Sequence, residues 1–177
     1  MAVFVYIACS LDGFIAKTDG DLDWLTTIPN EGNDDYGFSS FLGNIDGIVM
    51  GRNTFETVLG FREWPYDKPV FILSDSMDEI PGVAKGRAEI VRGDVRAIVA
   101  GLRDRGIGNI YVDGGRTIQS FLKADLVDEM LLTTVSKIIG GGIPLFDAIG
   151  CERLFRVERT EVLNAYLTRC HYVRERA

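Results

Sequence analysis

The chain has 177 residues, of which 19 are Lys or Arg and 26 are Asp or Glu, so its net charge is −7. Apolar residues make up 46% and charged residues 25% of the sequence, which is typical of a folded domain and excludes an intrinsically disordered chain. The acidic balance and the lack of a basic run disfavour a nucleic-acid-binding protein, because such a protein must neutralise phosphates. We therefore expect one domain over residues 1–177, with a small-molecule partner.

The sequence offers no candidate for a membrane span or a metal site. The apolar stretch Ala2–Cys9 is far shorter than the ~20 residues that a spanning helix needs, and it lacks the features of a signal peptide. The cysteines Cys9, Cys151 and Cys170 form no C-x-x-C pair, which argues against a disulfide framework and against zinc. These features predict a reduced, cytoplasmic protein without a membrane partner.

Hydrophobic spacing predicts strands and helices that alternate along most of the chain. Short apolar runs bounded by turn-forming residues predict strands at Val3–Ala8, Gly47–Met50, Val70–Leu73, Ile110–Val112 and Met130–Ile138. Apolar residues at helical spacing predict helices over Asp34–Asn44, around Phe55–Leu59, from Asp94 to about Gly106, and over Ile118–Leu126.

The C-terminal part has a different pattern. Phe155–Val162 and Tyr166–Val173 mix apolar and charged residues, and Asn164-Ala165 between them can form a turn, so these segments predict an antiparallel hairpin. Together with the alternating elements, this hairpin predicts an α/β fold: a three-layer α/β/α sandwich with a mixed, mostly parallel sheet.

Two predicted strands pass through glycine directly into a helix, and both junctions are candidate anion sites. At Gly114-Gly115 the backbone can turn tightly, and the free N–H groups of the following helix favour an anion. At Gly51-Arg52 the arginine could clamp a phosphate, since the helix dipole disfavours a cation at that position. The alternatives are a turn that needs glycine for its geometry alone, and a solvated arginine.

A long polar connection follows the first strand. The segment from Ser10 to Asn33 is rich in Gly and Asp, and a connection of this length is often a lid or a binding loop. Its acidic residues do not follow the EF-hand spacing, which argues against a calcium loop.

Six segments in chain order resemble the dihydrofolate reductase-like superfamily, and most closely the C-terminal reductase domain of the bifunctional riboflavin-biosynthesis deaminase/reductase. The segments are Val3–Ala8, Ser10–Ala16, Met50–Glu56, Ile72–Ser74, Val112–Arg116 and Gly140–Phe146. The resemblance covers nearly the whole chain, and it implies the fold of that superfamily and binding of NADPH.

The resemblance also implies a role for each cofactor-binding residue. Residues expected at the nicotinamide are Ile7, Ala8, Ile15 and Ala16, with the loop through Trp24 as the lid. Residues expected at the phosphates are Gly51, Arg52, Asn53 and Thr54, with Arg52 near the adenosine 2′-phosphate. Residues expected along the adenosine are Leu73, Ser74 and Asp75, and those expected at the pyrophosphate are Gly114, Gly115, Arg116, Thr117 and Ile118.

Two further residues are implied as catalytic. Thr133 resembles the threonine that hydrogen-bonds the active-site carboxylate of dihydrofolate reductases, and the interval back from Met50 assigns that carboxylate to Asp35, next to Asp34. The alternative is that both aspartates only cap a helix. Lys68 stands where dihydrofolate reductases carry an arginine for the folate carboxylate, and lysine is no bidentate clamp, which disfavours folate as the substrate.

These observations favour an NADPH-dependent reductase that transfers a hydride to a small heterocycle or ribosyl-pyrimidine, similar to a 5-amino-6-(5-phosphoribosylamino)uracil reductase. The alternatives are dihydrofolate reductase activity and a nucleotide-binding protein without turnover. A structural subunit fits worst, because it needs neither strand–glycine–helix junction. A homodimer is the expectation in the riboflavin branch, with Met130–Ile138 and the tail hairpin as its interface.

Overall fold

A computed structural model describes residues 1–147 and 149–176. Its strands are β1 (Val3–Ser10), β2 (Phe14–Ala16), β3 (Gly47–Gly51), β4 (Val70–Leu73), β5 (Ala88–Val91), β6 (Ile110–Asp113), β7 (Glu129–Val135), β8 (Ile143–Pro144), β9 (Phe155–Asn164) and β10 (Leu167–Arg174). Its helices are α1 (Asp23–Thr26), α2 (Phe38–Gly43), α3 (Arg52–Leu59), α4 (Val95–Asp104) and α5 (Gly115–Lys123). A 3-10 turn covers Gly82–Ala84.

Within the described residues, one large sheet has the strand order β5-β4-β3-β6-β1-β7-β10-β9. The strands from β5 to β7 run parallel to their neighbours, whereas β10 is antiparallel to both β7 and β9. A separate small ribbon pairs β2 with β8. The predicted fold class, a mostly parallel mixed sheet that ends in an antiparallel hairpin, is confirmed.

Alternating side chains of the parallel strands bury both faces of the sheet, which is the usual reason for such continuous apolar runs. On one face Val112 packs in a core with Ile118 and Phe121 of α5, together with residues of α4. On the other face Tyr111 packs with Phe55 of α3 and with residues of α2. The two cores give the molecule its three layers. No described helix is long and apolar enough to cross a membrane.

Two predicted boundaries are wrong, and contacts with the C-terminal hairpin explain both. The helix predicted over Asp34–Asn44 starts at Phe38, because Tyr36 and Gly37 adopt the left-handed conformation with φ of 51° and 83°. The strand predicted over Met130–Ile138 stops at Val135, where the N–H of Ser136 turns to the carbonyl of Tyr166.

Three elements are absent from the sequence prediction. Strand β5 was not expected because it is short and half-exposed at the sheet edge, where no strong apolar pattern is needed. The β2–β8 ribbon joins segments that lie far apart in the sequence, so no local pattern marks it. Helix α1 lies inside the segment predicted as an irregular loop, and its Trp24 is buried against Val135 and Leu167.

A buried arginine from the last strand fastens the loop that precedes α2. The side chain of Arg169 is 10% exposed, and it donates to Glu161 (3.1 and 3.0 Å), the hydroxyl of Tyr6 (2.7 Å) and the carbonyl of Tyr36 (2.5 Å). The hydroxyl of Tyr6 in turn donates to the same carbonyl at 3.0 Å. The tail hairpin therefore holds the left-handed backbone at Tyr36 in place.

We expect Arg169→Met to lower the free energy of unfolding by roughly 2–4 kcal/mol, because it removes the hydrogen bonds of a buried guanidinium to Glu161, Tyr6 and Tyr36. The matched control is Arg159→Met, since Arg159 binds the same Glu161 at 2.8 Å but is 69% exposed. That change should cost less than about 1 kcal/mol. Urea unfolding of both variants measures the difference, and equal small losses would contradict the stabilising role of Arg169.

Candidate functional site

The centre of the carboxyl edge of the sheet lies between β3 and β6. The two strands are neighbours, with Met50 opposite Asp113, but the helices that follow them pack on opposite faces. From β3 the chain continues through α3 to β4 on one side, and from β6 it continues through α5 to β7 on the other. Because the two connections lead in opposite directions along the sheet, a crevice opens between the ends of β3 and β6. Open α/β sheets bind their ligands in such a crevice.

The two helix N-termini interlock at this crevice. Gly114 has a φ of +89°, and a Cβ atom at this position would overlap the Thr54 hydroxyl of α3. A Cβ atom at Gly51 would lie only 2.9 Å from Thr117 Oγ1 of α5. Each glycine thus makes room for a threonine of the other helix, so the turn geometry and the close approach of the helices require these two glycines together.

Hydrogen-bond donors remain free at these N-termini. Neither Gly51 nor Gly114 supplies a side-chain cap, so N–H groups in the first turns of α3 and α5 have no side-chain acceptor. Arg116 is exposed, and its side chain contacts no partner in the described part of the chain. Arg52 reaches Ser76 Oγ at 3.1 Å and Glu56 at 3.4 Å. Free amides flanked by two arginines fit the phosphates of a dinucleotide.

The other predicted cofactor residues follow the same edge of the sheet. Leu73 ends β4 opposite Gly51, and it is followed by the buried Ser74 and the exposed Asp75. These residues extend the crevice beyond β3, on the side toward which Arg52 points. The sequence resemblance predicts that the adenosine lies on this side.

On the opposite side of the crevice, Ile7 and Ala8 lie in the second half of β1, which is paired with β6 through its first half. Ile15 follows in β2, and its Cδ1 would lie 2.7 Å from a Cβ atom at Gly115. Ala16 is buried in the same ribbon. The structure therefore brings the predicted nicotinamide residues together with the pyrophosphate residues along one groove. Direct contact of each with NADPH stays a prediction.

The two residues predicted to be catalytic, Asp35 and Thr133, share no hydrogen bond in the described part of the chain. Asp35 is exposed and accepts the N–H groups of Gly37 (2.7 Å) and Ser39 (3.0 Å), as a helix cap does. Hydrogen bonds from Ser39 and Gly37 lower the pKa of Asp35. Thr133 is buried in β7 between Ala8 and Arg169 of the neighbouring strands. The catalytic roles of Asp35 and Thr133 stay predictions.

Asp113 is a carboxyl group at the crevice to which the sequence analysis assigned no role. It ends β6 directly before Gly114, whose N–H it accepts at 2.8 Å. Burial raises the pKa of Asp113 to about 6, and the hydrogen bond from Gly114 offsets only part of that rise. An acidic residue that closes an apolar strand just before two glycines was the available signal, because this place faces the site in an open α/β sheet.

A family model described as the RibD C-terminal domain matches residues 1–168. The chain belongs to this family. Like the chain, a putative riboflavin biosynthesis protein from Shewanella sp. PV-4 has this fold: its crystal structure superposes with a TM-score of 0.96 at 46% identity and covers 99% of this chain and 100% of that one. The resemblance stated from the six sequence segments is thereby confirmed.

Two more distant structures share the fold of this RibD C-terminal domain. The first is the diaminohydroxyphosphoribosylaminopyrimidine deaminase/5-amino-6-(5-phosphoribosylamino)uracil reductase of Thermotoga maritima, with a TM-score of 0.73 and 17% identity over 98% of this chain and 56% of that one. The second is the dihydrofolate reductase of Enterococcus faecalis in complex with NADP(H) and RAB-propyl, with a TM-score of 0.70 and 18% identity over 99% of this chain and 97% of that one.

The raised pKa of Asp113 predicts a pH-dependent stability of this RibD C-terminal domain. The neutral carboxyl group is favoured in the folded state, so its stabilisation is complete below the unfolded pKa near 3.8 and is lost as the pH rises to about 6. Asp113→Asn keeps a neutral side chain at every pH. Its free energy of unfolding relative to the parent should therefore rise by about 2–3 kcal/mol between pH 4 and pH 7. Urea unfolding of both proteins at both pH values measures this change. The same difference in unfolding free energy at pH 4 and pH 7 would contradict the raised pKa of Asp113.

Proposed function

We propose that this RibD C-terminal domain is an NADPH-dependent reductase that transfers a hydride to a C=N or C=O bond of a small heterocycle, with a ribosyl-pyrimidine as the favoured substrate class. The observation that carries the proposal is the crevice between β3 and β6, where two uncapped helix N-termini meet beside Arg52 and Arg116. Free amides and cations at this point suit the several negative charges of NADPH. The family membership and the NADP(H)-bound dihydrofolate reductase of the same fold support the same function.

In this proposal the chain's own residues bind and orient the cofactor, which when bound supplies the hydride. The N-terminal amides of α3 and α5 hold phosphate groups. Arg52 meets the 2′-phosphate, since its guanidinium already points toward the Ser74–Ser76 loop that would border the adenosine. Ile15 and Ala16 set the position of the nicotinamide ring and keep water away from the reacting face.

Reduction of a C=N or C=O bond also needs a proton, and Asp113 is the carboxyl group best suited to hold one. Its pKa near 6 keeps a sizeable protonated fraction close to neutral pH, whereas hydrogen bonds lower the pKa of Asp35. Asp113 lies at the strand end next to the glycines, on the same side of β6 as Tyr111. Burial raises the pKa values of Tyr66 and Tyr111, and the charge of Asp113 adds to both rises.

Lys68 offers a single cation rather than the fork of an arginine, and this supports a substrate other than folate. The Thermotoga maritima protein of the same fold is a 5-amino-6-(5-phosphoribosylamino)uracil reductase, which supports a pyrimidine as the substrate.

We expect Arg52→Ala to weaken NADPH binding at least tenfold while it changes NADH binding by less than about threefold, because only NADPH carries the 2′-phosphate. The matched control is Arg116→Ala, which should weaken both nucleotides to a similar degree through the pyrophosphate that they share. Quenching of tryptophan fluorescence measures binding, since Trp24 and Trp64 are the two tryptophans of the sequence.

Two outcomes of this titration would count against the proposal. Equal weakening of NADPH and NADH by Arg52→Ala would remove the 2′-phosphate role of Arg52. Failure of the parent protein to bind either nucleotide would overturn the reductase function as a whole. Binding of NADPH without turnover of any pyrimidine or folate would favour the alternative of a nucleotide-binding protein.

We further propose a homodimer, as expected from the resemblance. Strand β9 lies at the open edge of the sheet, and its Val157 and Val162 are 53% and 77% exposed. The strand also carries both charges in alternation, with Arg156 beside Glu158, so a second copy running antiparallel would pair opposite signs. Light scattering at micromolar concentration should give twice the mass of the chain, and a monomer would contradict this assembly.

A further inference from the structure

The carboxylate of Asp12 joins two segments that lie more than 120 residues apart. Its Oδ1 accepts the N–H of Ile139 at 3.2 Å and its Oδ2 accepts the N–H of Gly140 at 2.8 Å. The hydroxyl of the buried Ser10 donates to Oδ1 at 2.6 Å. The bond from Ser10 and the two backbone bonds lower the pKa of Asp12, so the carboxylate is ionised at neutral pH.

Further contacts make the joined segments one unit. The N–H of Leu11 donates to the carbonyl of Lys137 at 2.8 Å, and the N–H of Leu145 donates to the carbonyl of Gly13 at 3.0 Å. Between these bonds β2 pairs with β8. A Cβ atom at Gly142 would overlap the carbonyl of Ala16, so the glycine-rich loop approaches β2 as closely as backbone can.

This unit packs directly on the N-terminus of α5. Ile15 fills the space beside Gly115, and Ile143 and the carbonyl of Pro144 lie within 4 Å of the same position. Gln119 of α5 donates to the carbonyl of Pro144 at 3.1 Å. The placement of Ile15 relative to α5 thus depends on how firmly the turn after β1 is held to the loop that precedes β8.

We propose that Asp12 is a positioning residue for the nicotinamide end of the groove. It contacts no reacting atom itself. Its two backbone hydrogen bonds hold residues 14–16 and 139–144 together against α5, and they thereby fix Ile15 and Ala16 where the ring would lie. This inference rests on the proposed function, which assigns the nicotinamide to these two residues.

The chain contains a matched control for a purely structural role. Asp46 is also an exposed aspartate whose carboxylate accepts two backbone N–H groups of a distant loop, from Gly108 at 3.1 Å and Asn109 at 2.7 Å. It precedes β3 and joins the loop before β6, so it lies at the amino ends of the strands, away from the crevice. Both bonds end on one oxygen, Oδ2, which an asparagine could replace, so the control is Asp46→Ala, which removes both bonds without touching the groove.

The experiment compares two ligands of the intact protein, NADPH and 2′,5′-ADP, because the second has the adenosine 2′-phosphate end but no nicotinamide. The N–H groups of Ile139 and Gly140 bind the two different carboxylate oxygens of Asp12, whereas an asparagine has only one acceptor oxygen. We expect Asp12→Asn to weaken NADPH about tenfold and 2′,5′-ADP less than twofold. Asp12→Ala should increase the loss for NADPH. Asp46→Ala, compared with Asp12→Ala, should leave both affinities within twofold, at a similar loss of melting temperature.

Equal weakening of both ligands by Asp12→Asn, or unchanged binding of both, would overturn the positioning role. A parent protein that binds no NADPH would instead overturn the proposed function. In that case amide hydrogen exchange still tests the link between the segments: the amides of Ala16, Ile139 and Gly140 should exchange faster in Asp12→Ala than in Asp46→Ala. Equal exchange in the two variants would overturn the role of Asp12 on its own.

Discussion

The contact between two helix N-termini at the centre of the sheet is the constraint on which the site depends. Thr54 occupies the space that a side chain at Gly114 would need, and Thr117 does the same at Gly51. Neither junction could be built in this form without the other. Their packing brings the N-termini of α3 and α5 together at the carboxyl ends of β3 and β6, and the predicted cofactor residues lie on these two helices or on strands and loops beside them.

Much of this arrangement was predictable from the sequence, because it depends on local patterns. Buried parallel strands read as continuous apolar runs, and the passage of strand through glycine into helix is visible at Gly51 and Gly114. The order of these segments also identified the family. The candidate residues of the phosphate region can therefore be named from the sequence, and their role stays a prediction.

The sequence could not predict what long-range contacts decide. Helix α2 begins later than its pattern suggests because Tyr36 is held in a left-handed conformation by Arg169, a residue 133 positions further along the chain. The pairing of β2 with β8 is also a long-range contact, and the sequence of a three-residue strand does not indicate which distant segment it pairs with. The raised pKa of Asp113 could not be predicted either. Its cause is burial, and burial depends on the assembled fold.

The position of β1 has a consequence for how the chain reaches this structure during synthesis. The first strand to be made lies between β6 and β7, so it has no partner in the sheet until about two-thirds of the chain has been translated. The hydrogen bond from Arg169 to Tyr36 comes later still. Strand β1 therefore stays without a partner in the sheet while the segments between it and β6 are made, and contacts between such distant segments favour slow folding.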